Sequence, residues 1–339
     1  MRAEDGRCQG ARPVYAALDL GTNNCRLLIA RPCASGLHVM DAFSRIVRLG
    51  ENLTSTGQLS DAATSRTLSA LAVCRGKMEA RRVTRARLIA TEACRAAANG
   101  AAFIEEVREQ TGLMVEIVDR ETEACLAAEG CAALADEEAE GVILFDIGGG
   151  SSEIVWLGRP RPGQPGITIR DRIRAWTSLP LGVVSLADRF GGKVVTAAVF
   201  EAMVDYVADK LAPFAEQARA ESRCGKFHLL GTSGTVTTVA GVHLGLLRYD
   251  RRRVDGLWMS NHQVNEAIAR LLAMPFDERV AHGCIGPDRA DLVLAGCAVL
   301  EAVRRLFPSR RLRIADRGLR EGILIQMMKS DRVWCRPVQ

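Results

Sequence analysis

The stretch Phe145-Asp146-Ile147-Gly148-Gly149-Gly150-Ser151-Ser152-Glu153-Ile154-Val155 admits few folds. Val142 to Phe145 read as a buried strand and Ile154 to Leu157 as the next, so the polar segment between them is their connecting turn. Three successive glycines let backbone N–H groups approach a ligand and converge on an anion, and the hydroxyls of Ser151 and Ser152 add donors. Asp146 and Glu153 bracket the turn. Two carboxylates beside an anion site call for a hard cation, and Mg2+ held by one or two carboxylates is the usual arrangement. Taken singly, the turn also fits an ordinary hairpin with solvated acids. A second copy weighs against that reading: Ala16-Ala17-Leu18-Asp19-Leu20-Gly21-Thr22-Asn23-Asn24-Cys25-Arg26-Leu27-Leu28-Ile29 repeats strand, Asp, apolar residue, Gly, small polar turn and strand. Two copies far apart imply a duplicated domain.

At 339 residues, 48% of them hydrophobic, the chain has room for two domains with real cores. The charged Met1 to Pro13 lacks an apolar signal core and reads as a loose leader, and no stretch reaches membrane-span length. The eleven cysteines contain no C-x-x-C pair and the five histidines no paired metal spacing. Free thiols in a reducing cytosol fit best, which makes the expected location cytoplasmic, without a membrane. A net charge of +5 permits an acidic ligand without pointing to nucleic acid.

Along the chain, Val14 to Ile29 form the first hairpin, where Thr22 and Arg26 can face a phosphate and Asn23 and Asn24 suit the turn. Val39 to Arg48 continue the sheet. Ser60-Asp61 open a helix whose Leu68, Leu71, Cys74 and Met78 fall on one apolar face. Arg87 to Ala90 give a strand that turns at Thr91-Glu92-Ala93-Cys94-Arg95 into a helix through Phe103, Ile104 and Val107. Anions bind at such strand-to-helix turns, so Arg95 is a candidate ligand as well as an ordinary surface arginine. Met114 to Val118 give a further strand, then Asp119-Arg120-Glu121-Thr122-Glu123-Ala124 start a helix to about Leu134, with Glu121 and Glu123 placed to cap or to act. Asp136 to Gly141 mark the domain boundary, dividing a first domain at 14–134 from a second at 135–330, with 331–339 a tail and the final helix free to pack back on the first domain. Gly158 to Gly166 read as a surface loop, Ile167 to Trp176 as a strand, Gly182 to Phe190 and Ala197 to Ala220 as helices. Phe227 to Leu230 lead into Gly231-Thr232-Ser233-Gly234-Thr235, a third small-residue turn that suits a nucleotide or terminal phosphate, or simply close packing of helix on strand. Arg248 to Arg253 form a basic cluster in a loop, open to a polyanion or merely solvated. Asp288-Arg289-Ala290-Asp291 open a helix, and Leu312 to Met328 supply a last strand, turn and helix.

These residues together resemble the exopolyphosphatase and guanosine pentaphosphate phosphohydrolase (Ppx/GppA) family. The likeness rests on the two Asp-containing hairpins, Thr91 to Arg95, Glu123-Ala124, Asp146 to Glu153, Leu179-Pro180-Leu181-Gly182, Gly231 to Thr235, Arg289-Ala290-Asp291 and Gly318-Leu319-Arg320-Glu321-Gly322. Each motif is modest, and their order along nearly the whole chain is specific. The resemblance implies an α/β fold of two duplicated ribonuclease-H-like domains, of the actin-like, sugar kinase and Hsp70 ATPase type, with the active site in the interdomain cleft. It makes Glu123 the catalytic acid that orients or deprotonates water. Asp146 and Glu153 become the acids around metal and water, and Asp19 the acid of the first loop. Gly21, Thr22, Asn23, Gly148, Gly149, Gly150 and Ser151 would contact phosphate, with Arg26 and Arg95 balancing its charge.

Phosphoanhydride hydrolysis needs an in-line water, a carboxylate to position it and cations on the phosphoryl oxygens, and no covalent nucleophile. The chain departs from the family's Ser-Gly-x-Glu-Glu-Ala in having Asp119-Arg120-Glu121-Thr122-Glu123-Ala124, so Thr122 stands for one acid of the pair and Glu121 is the fallback base. The C-terminal helical extension of longer relatives is expected to be absent, and a homodimer is admitted. The expected activity is Mg2+-dependent release of the terminal phosphate of polyphosphate. The alternatives are hydrolysis of guanosine pentaphosphate and a non-catalytic nucleotide sensor, with a sugar or acetate kinase on the same fold behind them.

Overall fold

The computed structural model describes residues 13–34, 36–159, 168–221 and 226–334. The leader at 1–12, most of the Gly158 to Gly166 loop and the last five tail residues lie outside the described residues. In the first half, β1 (Tyr15–Leu20), β2 (Asn24–Cys33) and β3 (Gly36–Ile46) form an antiparallel meander. Then come α1 (Leu53–Thr56), α2 (Asp61–Ala80), β4 (Arg85–Ala90), α3 (Glu92–Ala96), α4 (Gly100–Thr111), β5 (Val115–Ile117) and α5 (Arg120–Cys131). β4 runs parallel to β1, and β5 to β4, giving the order β3-β2-β1-β4-β5. Ser60 starts α2 by accepting a hydrogen bond from the Ala63 N–H at 3.3 Å, and Leu71, Cys74 and Met78 enter the core beneath the sheet.

The second half repeats this plan. Its meander is β6 (Gly141–Ile147), β7 (Ser152–Gly158) and, after a helical turn α6 (Ile169–Arg172), β8 (Ile173–Leu179). There follow α7 (Val183–Phe190), α8 (Ala197–Glu221), β9 (Phe227–Thr232), α9 (Gly234–His243), α10 (Arg251–Val254), β10 (Trp258–Ser260), α11 (Asn261–Ala273), α12 (Phe276–Ala281), α13 (Val293–Leu306), β11 (Arg311–Ala315) and α14 (Leu319–Ser330). β9 pairs parallel to β6, and β11 to β9, so β8-β7-β6-β9-β11 matches the order of the first sheet strand for strand, with β10 added at the edge. The duplication implied by the two hairpins is therefore a duplication of the whole sheet.

The two sheets exchange helices. α14, last in the chain, buries Leu319, Ile323, Leu324, Met327 and Met328 against Tyr15, Ala17, Leu28 and Ile89 of the first sheet. α5, from the first half, buries Ala124, Ala127, Ala128 and Cys131 against Val142, Leu144, Val155 and Leu230 of the second. The two helices cross at glycines: a Cβ on Gly130 would overlap the Gly318 carbonyl, and one on Gly322 the Leu126 carbonyl.

Several local expectations are corrected. The strand expected over Ile167 to Trp176 begins only at Ile173, because Thr168 and Asp171 close a capping box that winds Ile169–Arg172 into a helical turn. The single helix expected from Thr91 through Val107 is two, broken where Gly100 presses on the Cys94 carbonyl. The basic cluster at Arg248 to Arg253 is not a free loop: Asp250 caps α10, and Arg251 donates to Glu321 Oε1 at 2.9 Å and to the Asp316 carbonyl at 2.6 Å. β10 and α11 carry no counterpart in the sequence reading.

Candidate active site

The two Asp-bearing hairpins meet face to face. In the first, the Gly21 N–H closes the turn on the Asn24 carbonyl at 2.9 Å. The carbonyls of Thr22 and Asn23 accept from the N–H groups of Gly50, Val47 and Arg48, which lashes the turn to the segment after β3. In the second, the Gly148 N–H closes on the Ser151 carbonyl at 2.9 Å, and the carbonyls of Gly148 and Gly149 accept from Val183 and Val184 at the start of α7. The glycines have a steric reason as well as an electrostatic one. A Cβ on Gly149 would lie 3.1 Å from Thr22 Cβ, and one on Gly150 2.6 Å from Thr22 Oγ1, so side chains there would force the two turns apart.

Between the turns lies a cavity of about 120 Å³ that brings together Asp19, Glu123, Asp146 and Glu153. Strand register sets three of them: Asp146 stands opposite Glu153 across β6 and β7, and Asp19 ends β1 opposite Arg26. Glu123 comes from the first turn of α5, whose start Asp119 fixes by accepting from the Thr122 N–H at 2.7 Å. Four acids this close and this buried resist ionising together. Burial, then the charge of Asp19, pushes Asp146 up to about 6. Burial, then Asp146, pushes Glu153 to about 7 against the opposing hydrogen bonds of Ser151 and Ser178, the latter at 2.8 Å. Glu123 is raised well above the carboxylate range by burial and by Glu153, with Arg95 opposing. Asp19 is raised by burial, with Arg26 opposing.

Gly21, Thr22, Asn23, Arg26, Gly148, Gly149, Gly150 and Ser151 all line this cavity. Of the third turn, Ser233, Gly234 and Thr235 do so. Ser233 adopts a left-handed φ of 89° and its buried Oγ has no partner, a strained arrangement of the kind found at ligand sites. Gly231 does not reach the cavity; it lies within β9, where a Cβ would sit 2.7 Å from the Phe145 ring. Thr232 also belongs to β9, and its hydroxyl donates to the Arg317 carbonyl at 2.7 Å. Arg95 stands apart from them. Expected on a phosphate, its guanidinium is held by Glu92, the Val118 carbonyl and Glu123, and it does not line the cavity. Glu121, the fallback base, points elsewhere and pairs with Arg170 at 3.1 Å.

Beside the small cavity lies a chamber of about 550 Å³ that shares Asp19, Arg26, Asp146, Ser233, Gly234, Arg289 and Leu319 with it as wall residues. Arg26, Arg289 and Arg320 line this chamber, and none of the three guanidinium groups has a hydrogen bond or ion pair among the described residues. Sequence reading quoted Arg289 and Arg320 within motifs without giving them a role. They lie some 270 or more positions from Asp19, and only the fold brings them to it. The farther wall carries Tyr249, His282, Cys284 and Ile285.

Among the described residues, no three His, Cys, Asp or Glu side chains form a cage for a metal ion. The cavity nevertheless suits a hard divalent cation shared with an anion. Besides Asp19, Asp146 and Glu153, which have no ion pair among the described residues, it holds two orphaned buried oxygens, Asn23 Oδ1 and Asn24 Oδ1, and Mg2+ commonly takes one or two carboxylates with the remaining positions left to water and phosphate.

The model of the Ppx/GppA phosphatase family matches residues 28–331. A guanosine-5'-triphosphate,3'-diphosphate pyrophosphatase of Photobacterium profundum is 27% identical over 321 residues, which cover 94% of this chain and 60% of that protein. The chain thus spans about three fifths of that relative's length. An exopolyphosphatase 2 of Mycobacterium tuberculosis is 27% identical over 92% of this chain and 98% of its own. The crystal structure of the Aquifex aeolicus Ppx/GppA family member superposes with a TM-score of 0.76 at 26% identity, covering 95% of this chain and 99% of that one.

Proposed function

Because the chain belongs to the Ppx/GppA phosphatase family, we propose that it hydrolyses the terminal phosphoanhydride of a linear phosphate chain, inorganic polyphosphate first, and releases orthophosphate. The observation that carries this reading is the pair of adjoining spaces with shared walls. The cavity of about 120 Å³ takes one phosphoryl group among four acids, while the chamber of about 550 Å³ beside it presents three unpaired arginines to the rest of the ligand. A chain enters such a site by its end. Cleavage therefore falls at the terminal unit.

In this reading the backbone N–H groups of the two glycine turns, with Thr22 and Ser151, bind the terminal phosphoryl oxygens, and Arg26 spreads its charge over them. Glu123 accepts a proton from the attacking water, and its proton affinity, raised by burial and by Glu153, suits it to that role. The P–O bond to the next phosphate breaks as the bond to water oxygen forms, and the shortened chain leaves with the bridging oxygen toward Arg289 and Arg320. Asp146 and Glu153 would hold Mg2+, which when bound neutralises phosphoryl charge in a site otherwise over-supplied with carboxylates.

Guanosine pentaphosphate is the second reading. What favours it is the far wall of the chamber, where Tyr249 and His282 offer ring surfaces to a base, together with the activity named for the Photobacterium relative.

The test is phosphate release with Mg2+ from long-chain polyphosphate and from guanosine pentaphosphate, for wild type and Glu123→Gln. Expected is turnover of at least one substrate, lowered about a hundredfold by the substitution. Binding without turnover of either by the wild type would remove the hydrolase reading and leave a sensor.

A further inference from the structure

We propose that Glu92 and Arg120 are positioning residues for hydrolysis, an outer pair that holds Arg95 so that Glu123 keeps one carboxylate oxygen free for the attacking water. The inference rests on the reading of Glu123 as the base. Neither residue lines the cavity.

The geometry is a chain of alternating charge that runs inward. Arg120, the first residue of α5, donates from Nη2 to Glu92 Oε1 at 2.9 Å and from Nε to Glu92 Oε2 at 3.3 Å. Glu92 Oε2 in turn accepts from Arg95 Nη2 at 2.5 Å and Nε at 3.1 Å. Arg95 gives Nη1 to the Val118 carbonyl at 2.6 Å and Nη2 to Glu123 Oε2 at 3.1 Å. Side-chain exposure falls from 41% at Arg120 to 9% at Glu92 and 11% at Glu123, so the chain leads from solvent to the buried acid.

Local structure explains the placement. Glu92 and Arg95 are three residues apart on α3, which puts them on one helix face, and α5 begins where its first turn can close on both. An arginine facing a lone carboxylate tends to take both oxygens in a forked pair. Here the shortest contact of Arg95 goes to Glu92 instead. Only Oε2 of Glu123 is held, at the longer distance, and Oε1 has no partner among the described residues. Glu92 thereby draws the guanidinium to one side, and Arg120 balances the second charge on Glu92. Arg120 is one of the three places, with Asp119 and Thr122, where this segment departs from Ser-Gly-x-Glu-Glu-Ala, and the ion pair with Glu92 gives Arg120 a function at its site.

The experiment measures kcat and KM for Glu92→Gln, Arg120→Gln, Glu123→Gln and the double variant Glu92→Gln/Glu123→Gln, on whichever of long-chain polyphosphate and guanosine pentaphosphate the wild type hydrolyses. Expected is a kcat lowered about tenfold by Glu92→Gln, with KM within twofold and a smaller loss of the same kind for Arg120→Gln, as for residues that orient a reacting group. In the Glu123→Gln background, losing Glu92 should cost less than twofold more, because a residue that acts through Glu123 has nothing left to position. Full additivity in the double variant, a loss expressed in KM, or a Glu92→Gln enzyme within threefold of wild-type kcat would overturn the proposal while leaving the base in place. Wild-type turnover by Glu123→Gln, or no turnover by the wild type, would overturn the reading of the base and this inference with it.

Discussion

Arg48 and Asp291 tie the two halves together across the cleft, with Arg48 Nη2 at 3.2 Å from each carboxylate oxygen of Asp291 and at 3.4 Å from the Asp288 carbonyl. Arg48 sits just past β3 in a left-handed conformation, φ 47°, in the segment whose N–H groups lash the first hairpin turn. Asp291 lies two residues after Arg289. With side chains 39% and 23% exposed, the pair contributes at most about 1 kcal/mol to stability. Its larger effect should be on closure, where the same energy moves a two-state equilibrium about fivefold. Arg48→Ala should leave Tm nearly unchanged, raise the radius of gyration of the ligand-free protein in small-angle scattering and raise KM a few-fold. An unchanged radius and KM would mean that the halves do not part there.

The helix crossing makes a sharper prediction about stability. Gly130→Ala sets a methyl group into the Gly318 carbonyl, backbone against backbone, where no side chain can yield. A loss of about 3 kcal/mol follows from such overpacking. Gly76→Ala, within α2 and with nothing near its added Cβ, should instead stabilise by about 0.5–1 kcal/mol, because alanine gives up less conformational freedom in a helix. Thermal unfolding of the two variants checks both signs. Equal effects would show that the α5–α14 contact is looser than described.

What was legible in the sequence was local. An aspartate, two small turns and flanking apolar runs are short-range features, so both hairpins and the duplication could be read from them, as could the capped start of α2 at Ser60. Partner choice was not legible. Arg95 stands where an anion ligand is expected, yet its partners are fixed by Glu92 in its own turn and by Glu123 from another element. Arg251 looked free in a basic run and is spent on Glu321, seventy residues on. β10 is three residues long and exists only because β11 offers it an edge. Gly149 and Gly150 were explained by phosphate alone, since the Thr22 side chain pressing on them belongs to the other half of the chain.

Arg320 offers a trade between stability and function. Its guanidinium lines the chamber without a protein partner among the described residues, and burial holds its proton affinity below the usual range, with Glu321 opposing. An unpaired, desolvated charge costs the folded state, so Arg320→Met should raise Tm or leave it level. The same change removes a cation from the path of the departing phosphate, and KM should rise tenfold or more. A variant that loses stability and keeps its KM would place the role of Arg320 in folding.

The four acids give the protein an unusual dependence on pH. Folded-state values of about 6 for Asp146 and about 7 for Glu153 lie above those of ordinary carboxylates, so the folded protein binds these protons more tightly than the unfolded chain does. Their stabilisation is complete below the ordinary carboxylate range near pH 4 and is lost as pH rises through 6 and 7. Each group carries on the order of 3 kcal/mol, and their mutual repulsion prevents simple addition. In EDTA and without phosphate, Tm should therefore fall by several degrees between pH 5 and pH 8. Asp146→Asn should flatten that fall, which separates it from the titration of groups elsewhere in the chain. Mg2+ with orthophosphate should restore Tm at pH 8 far more than at pH 5, because a cation binds the ionised acids and competes with protons for the neutral ones. A Tm that is level or rising from pH 5 to pH 8 in EDTA, with Asp146→Asn indistinguishable from wild type, would show that the acids are already compensated by the protein and would remove the case for a cation between them.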